Sequence, residues 1–534
     1  MDRWIKPAFN RSSRSHNLHA LEKGEFDVVI CGGGINGAGL ARDLALRAKR
    51  AGKAVRIALV EQRQFGSGTS SRNSQLIHGG LRYLKYLEFR LVRDALRERA
   101  TLLRIAPHLV RPLQFVIPFY SLPARLYYDA GLLLYDWLAG RANVGKHRHL
   151  NANELRRLEP QLATERLHSA AIYYDCKVES ARLVLENIFD AARLGVVVVN
   201  YVRLVNWHWQ NGQFHLELQD ALTGRQVVAR ARKVVDASGP WQQLSEVRRV
   251  RGSHLVFPKL TRSDYAIAHF ADDGRIIFVI PWGPNNELSL VGTTDVEHPG
   301  SPDTVRIAPE EVSYLCRILE KLLPASKNLR PISAYSSLRP LADFRSSSAT
   351  AASREHRIWN TDDNVLHIVG GKYTTYRLMC AEAADRVCEE LWPELVGLDA
   401  TSQEPVGGNS PARLEQLYDQ VPKLANQYQL EEADARWLVS RYGVLAPDVL
   451  DYLPAHSPEG VSRLQWAVLR FAIEHEMAQR LADVLFVSTY WGWERSWEDR
   501  ELEQLARAFA TLMENSVYEV REEIELIRNL SALP

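Results

Sequence analysis

Apolar and polar positions follow two periods along this chain, and the changes between them mark out its parts. Phe26-Asp27-Val28-Val29-Ile30-Cys31 is a short apolar, β-branched run, which predicts a buried strand. The glycine-rich Gly32-Gly33-Gly34-Ile35-Asn36-Gly37 follows it, and a helical pattern continues from Gly39 to Arg50. A second apolar run, from Val55 to Val60, ends in Glu61. Residues 85–105 carry apolar positions at helical spacing, and the same period predicts helices over 181–194, 309–322 and 373–391. Strict alternation predicts antiparallel strands from Trp207 to Leu218 and from Gln226 to Val235. Continuous apolar runs predict buried strands at 196–199, 275–282 and 365–369. After a linker from Gly397 to Pro411 the strand period disappears, and 412–534 reads as helical.

The segment from Leu126 to Leu138 is rich in leucine and aromatics and is flanked by Arg125, Arg141, Lys146 and Arg148. That pattern fits an interfacial membrane contact and a core helix equally. No apolar run reaches the ~20 residues needed to span a bilayer. Residues 1–25 hold Arg3, Lys6, Arg11 and Arg14 without an apolar signal core, and predict a basic flexible tail. The 534 residues are 46% hydrophobic and 24% charged, with a net charge of +2, which gives no reason to expect nucleic acid. Five scattered cysteines (Cys31, Cys176, Cys316, Cys380, Cys388) lack metal-ligand spacing and suit a reducing compartment. No metal is expected.

Gly32, Gly34 and Gly37 fit G-x-G-x-x-G between a strand and a helix, the dinucleotide fingerprint. The turn lets a pyrophosphate approach the backbone at a helix N-terminus, and Glu61 stands where an acid accepts from a ribose. The small polar loop Gly66 to Ser74 offers N–H groups and hydroxyls to such a ligand. Next comes Leu76-Ile77-His78-Gly79-Gly80-Leu81-Arg82-Tyr83, a histidine, two glycines and an arginine closely spaced. The strand ending Asp236-Ala237-Ser238-Gly239 and the junction Gly370-Gly371 also aim backbone donors outward. Neither a nucleophile elbow with its triad nor a Cys-His cluster is present.

These motifs, continued by Asp175-Cys176, Gly252-Ser253-His254, Gly292-Thr293-Thr294-Asp295, Ser337-Leu338-Arg339-Pro340-Leu341, Ser353-Arg354 and Gly370-Gly371-Lys372-Tyr373-Thr374, resemble the FAD-dependent glycerol-3-phosphate dehydrogenases over residues 26–485. The resemblance implies an α/β fold: a glutathione-reductase-like FAD-binding Rossmann domain, an inserted, mostly antiparallel substrate sheet, and a C-terminal all-α domain. The first two would interleave over 26–405, with the substrate part at roughly 106–165 and 250–355, and the helical domain would occupy 406–534. FAD would contact Gly32, Gly34, Asn36, Gly37, Glu61, Thr69, Ser70, Ser71, Ser74, Val202, Ala237, Gly239, Gly371, Lys372, Tyr373 and Thr374. Arg82, Tyr83, Arg339 and Arg354 would bind the substrate, glycerol 3-phosphate. Catalysis would fall to His78, His254, Arg339 and Lys372, with the two histidines competing for the role of base.

Electrons would pass to a quinone, from a position attached peripherally to the cytoplasmic face of the cell membrane, with a homodimer left open. Rival readings are an oxygen-dependent oxidase branch, an amino-acid or 2-hydroxy-acid oxidase of the same fold, and a non-catalytic flavin sensor. One departure stands out. Where the family carries an arginine-rich stretch after Leu481-Ala482-Asp483-Val484-Leu485, this chain has Phe486-Val487-Ser488-Thr489-Tyr490-Trp491-Gly492-Trp493. The contacts of the helical domain are therefore in doubt.

Overall fold

The structure is a computed structural model that describes residues 9–165, 167–245, 247–342, 355–514 and 519–534. Of the expected flexible tail 1–25, residues 1–8 lie outside the described residues, and 9–25 depart from what their composition predicts. Helix α1 (Arg11–Lys23) starts at a capping box on Asn10 and buries Leu18 and Leu21 against the first sheet. Arg14 turns inward as well, bonding Asp220 at 2.7 Å and the Asn200 carbonyl at 3.1 Å. The tail's cations therefore conceal an amphipathic stripe with one buried ion pair.

Strand β1 (Glu25–Cys31), helix α2 (Ile35–Arg50) and strand β2 (Ile57–Val60) form the expected βαβ unit. β1 is central: Val29 lies opposite Ala58 on one side and Val234 on the other, both in parallel register. Buried on both faces, it is apolar at successive positions rather than alternating. The full order is His356–Asn360, Leu366–Gly370, Gln226–Asp236, β1, β2, Val197–Val199, with only the first strand antiparallel to its neighbour. The hairpin Val202–Gln210 and Gln213–Asp220 extends the Gln226–Asp236 strand antiparallel, as its alternation predicts.

A second sheet of ten strands packs beside it. Its order is Val296–Glu297, Arg248–Pro258, Leu288–Gly292, Ile276–Trp282, Ala266–Phe270, Val110–Phe119, Ser169–Val178, Leu76–Ile77, with Ser333–Leu341 and Arg148–Asn151 paired alongside. Every pairing is antiparallel except Ala266–Phe270 with Val110–Phe119. Two of its strands, Leu76–Ile77 and Ser169–Val178, lie outside the expected segments 106–165 and 250–355.

Helix α3 (Phe89–Ile105) is amphipathic, and a short turn at Leu81–Tyr86 leads into it. Helix α4 (Leu122–Ala139) combines both readings of its leucine-rich segment. Leu132, Tyr135 and Ala139 are buried, while Leu122, Leu126, Leu133 and Trp137 form an exposed stripe on the other side. No described helix is long and apolar enough to cross a membrane.

The described residues beyond 410 hold helices and no strand. Their doubtful segment 486–493 packs against earlier parts of the same chain: the Ala181 N–H donates to Tyr490 Oη at 2.8 Å and the Ser333 hydroxyl to the Trp493 carbonyl at 2.6 Å. Elsewhere in the helical part Glu476 meets Arg182 with both side chains fully buried, and Arg441 bonds Glu179 at 2.9 Å.

Candidate functional site

The C-terminal ends of β1 and β2 and one face of the second sheet enclose a cavity of about 560 Å³. Its floor is the glycine turn. Gly32 adopts φ +114°, a region costly for any side chain, and a Cβ on Gly37 would come within 1.9 Å of the Gly32 carbonyl oxygen. Helix α2 thus seats its N-terminus directly on the strand end. The N-cap, Gly34, has no capping side chain, and the Ile35 N–H donates to Ser70 Oγ at 3.0 Å. Glu61, at the end of β2, accepts from the Gly33 N–H at 2.6 Å and the Arg63 N–H at 2.9 Å. A helix N-terminus without a side chain on its cap, seated on a turn that lets the backbone come close, is what a pyrophosphate requires, so the residues fit FAD.

Gly32, Gly34, Asn36, Glu61, Thr69, Ser70, Ser74, Val202, Ala237, Gly239, Gly371, Lys372, Tyr373 and Thr374 all line the cavity. Two expected contacts do not. Gly37 acts through helix packing, and Ser71 is buried with its hydroxyl donating to the Gly68 carbonyl. The wall beyond 300 adds Asp303, which accepts from Arg63 at 2.8 Å and from Trp241 Nε1 at 2.8 Å. This clasp joins the two sheets across the cavity rim, and nothing in the local pattern around 303 announces it.

At the other end the cations converge. His78, Arg82, Tyr83, Arg339 and Lys372 line the same space. Arg339 donates to Asp295 at 2.8 Å, to the Thr294 carbonyl at 3.0 Å and to Thr293 Oγ1 at 2.8 Å. Gly252 makes this possible, since a Cβ there would lie 2.4 Å from the guanidinium. Asp295 also faces Arg82 at 3.8 Å, so one buried carboxylate orients both forks. Its sequence motif was visible, but only the paired arginines reveal its task. Lys372 stands 3.8 Å over the Tyr83 ring, packed against Gly80. Arg354 falls outside the described residues.

The turn His78–Gly80 is held from behind. The His78 N–H donates to Thr374 Oγ1 at 3.0 Å, and the Gly79 N–H donates to Tyr135 Oη and Asp175 Oδ1. Asp175 in turn pairs with Arg99 at 2.6 Å, with both side chains buried. The two histidines part company here. His78 lines the cavity, whereas His254 is buried behind Ser74, bonded Nε2 to Oγ at 2.8 Å and stacked on Tyr335. Burial, with Lys372, Arg82 and Arg99 nearby, pushes His78 down to about 3, and burial beside Arg339 does the same to His254. Both rings are held neutral.

The opposite wall is apolar: Phe115, Tyr173, Phe270, Ile276 and Phe278. Phe270 meets Tyr128 of α4 at 4.2 Å, so the wall continues into that helix.

Comparison with known proteins agrees with this geometry. The family model "FAD dependent oxidoreductase" matches residues 27–386, and "C-terminal domain of alpha-glycerophosphate oxidase" matches 400–523. The aerobic glycerol-3-phosphate dehydrogenase of Escherichia coli (strain K12) is 34% identical, with 87% of this chain and 94% of that protein covered. The D-erythritol 1-phosphate dehydrogenase of Brucella abortus (strain 2308) is 32% identical at the same coverage, 87% and 94%. Among solved structures, glycerol-3-phosphate dehydrogenase from Bacillus halodurans complexed with FAD aligns with a TM-score of 0.77 at 25% identity, over 98% of each chain.

Proposed function

We propose a function from one premise: this chain belongs to the FAD-dependent oxidoreductase family. It is a glycerol-3-phosphate dehydrogenase, oxidising the secondary alcohol to the ketone of dihydroxyacetone phosphate. The observation that carries this reading is the cation cluster of Arg82, Arg339 and Lys372 at one end of a cavity whose other end is a dinucleotide turn. An amino-acid oxidase needs a clamp for one carboxylate. Two arginine forks aligned by a shared aspartate suit a phosphate dianion instead.

Bound FAD supplies the hydride acceptor. The chain's own residues do the rest. Arg339 and Arg82 hold the phosphate, and Tyr83 with Lys372 closes the space around the carbinol carbon. His78 receives the hydroxyl proton. In the free cavity burial, and after it the surrounding cations, suppress its basicity; a phosphate dianion between the cations and the ring offsets their share and raises its proton affinity when substrate is present. His254 acts through Ser74 rather than on the substrate.

The next acceptor is a membrane quinone, and the protein lies on the cytoplasmic face of the membrane. The exposed stripe of α4 supports this, as do exposed Tyr86, Leu87 and Phe89 in the segment that packs against it. Exposed Lys85, Arg90, Arg141, Lys146 and Arg148 supply the cations that an anionic surface attracts.

Anaerobic flavin reduction tests the substrate. Glycerol 3-phosphate should bleach the flavin, D-erythritol 1-phosphate more slowly, glycerol and glycine not at all. Bleaching by glycine alone would overturn the reading. Steady-state turnover with a soluble quinone, compared with oxygen alone, tests the acceptor; equal rates would remove the quinone.

A further inference from the structure

Loop 69–75 carries Thr69, Ser70, Arg72, Asn73 and Ser74 into the cavity, yet its support comes from the far end of the chain. Tyr490 is buried and holds a left-handed backbone, φ 71°, which is strained for a tyrosine. Its hydroxyl accepts from the Ala181 N–H at 2.8 Å, lies 3.2 Å from Ser180 Oγ, and donates to Gln75 Oε1 at 3.2 Å. Gln75, also left-handed at φ 54°, accepts from Ser180 and donates to the Ser71 carbonyl at 2.9 Å. Two strained residues from distant segments therefore meet at one hydrogen-bonded knot beneath the loop.

Trp493 makes a second support. Its carbonyl accepts from Ser333 at 2.6 Å, and its ring lies against Tyr335 at 4.8 Å and under the Arg72 guanidinium at 5.9 Å. Tyr335 in turn donates to the Asn73 carbonyl at 2.8 Å and stacks on His254. We propose that Tyr490 and Trp493 of the helical domain are positioning residues, which fix loop 69–75 and the Ser74–His254 pair against the bound flavin. The described hydrogen bonds and ion pairs of the substrate clamp, Arg82 and Arg339, run to Thr293, Thr294 and Asp295, away from Tyr490 and Trp493, so loosening the loop should affect the flavin side more than substrate binding. This rests on the flavoprotein dehydrogenase reading above.

The test uses the FAD-loaded full chain with Y490F and W493F. Y490F removes one oxygen and keeps the ring, so the fold should be retained and the unfolding midpoint should drop by no more than about 3 °C. Loss of its buried hydrogen bonds should speed amide exchange across 70–75 roughly tenfold. Both variants should change the visible circular dichroism of the flavin, and both should lower kcat with little change in KM for glycerol 3-phosphate. Unaltered loop exchange and flavin dichroism in both variants would overturn the proposal. So would faster exchange spread evenly over the whole chain with an unfolding midpoint lowered well beyond that small drop, which marks a merely structural role. If W493F does not fold, Y490F decides. Should glycerol 3-phosphate fail to bleach the wild-type flavin, the function falls, while the exchange and dichroism arms still judge this proposal.

Discussion

Truncating the exposed stripe of α4 should detach the protein from anionic membranes without touching its chemistry. Trp137 is 75% exposed, and Leu126 and Leu133 are 62% exposed each, on one side of a helix whose other side is buried. A tryptophan side chain offers 150–250 Å² to burial, so about 170 Å² of Trp137 is available to lipid. At about 25 cal/mol per Å² this is about 4 kcal/mol for full insertion, and about 2 kcal/mol if half the ring enters the headgroup boundary. W137A alone should then weaken partitioning about thirtyfold. Adding L126A and L133A, each about 1 kcal/mol at half insertion, brings the loss to about 4 kcal/mol, or roughly a thousandfold. Flotation with vesicles containing anionic lipid measures the partition coefficient directly. None of the three side chains lines the cavity, so the unfolding midpoint and turnover with a soluble acceptor should stay at wild-type values. A triple variant that floats as well as the wild type would refute the membrane reading of this face.

Arg339→Ala removes one phosphate fork together with its ion pair to Asp295; kcat/KM for glycerol 3-phosphate should fall by about 3 kcal/mol, roughly 150-fold, in steady-state kinetics. Asp303→Ala opens the clasp with Arg63 and Trp241 at the cavity rim; because these side chains are half exposed, FAD release followed by flavin fluorescence should quicken only about two- to fivefold. The two neutral histidines contribute a stability that is lost in acid, opposite in sign to that of Asp483 and Glu494, whose carboxyls burial pushes up to about 7 and about 8. His78 and His254 sit near 3 when folded against an ordinary 6.5, so the unfolded chain binds more protons between those values. Their contribution is whole above about 6.5 and is lost as the pH drops toward about 3. Urea midpoints at pH 7.5, 5.5 and 4.5 isolate the histidine part by difference: the stability of His254→Asn relative to the wild type should rise as the pH falls, and a pH-independent difference would refute it.

Much of this protein was legible along the chain because the relevant physics is local. A β-branched run, a glycine turn and a helical period are each encoded within a few neighbouring residues, so β1, α2 and Glu61 are found where the pattern places them. The same holds for the helix Pro309–Leu322 and the switch to helices after 410. What the tertiary structure alone decided involves partners far apart in sequence. His78 and His254 both follow or precede glycines in motifs, and only the packing of Ser333–Leu341 against Arg248–Pro258 shows that Tyr335 and Ser74 enclose the second. Arg14 reads as a tail cation until Asp220, some two hundred residues away, desolvates and pairs with it. Trp137 and Tyr135 look alike in a leucine-rich segment, yet one faces solvent and the other the Asp175 network, because helical rotation against α3 and the second sheet assigns the faces. Periodicity is carried by neighbours. Burial, pairing and the sign of a local field depend on which distant segments arrive at the same place.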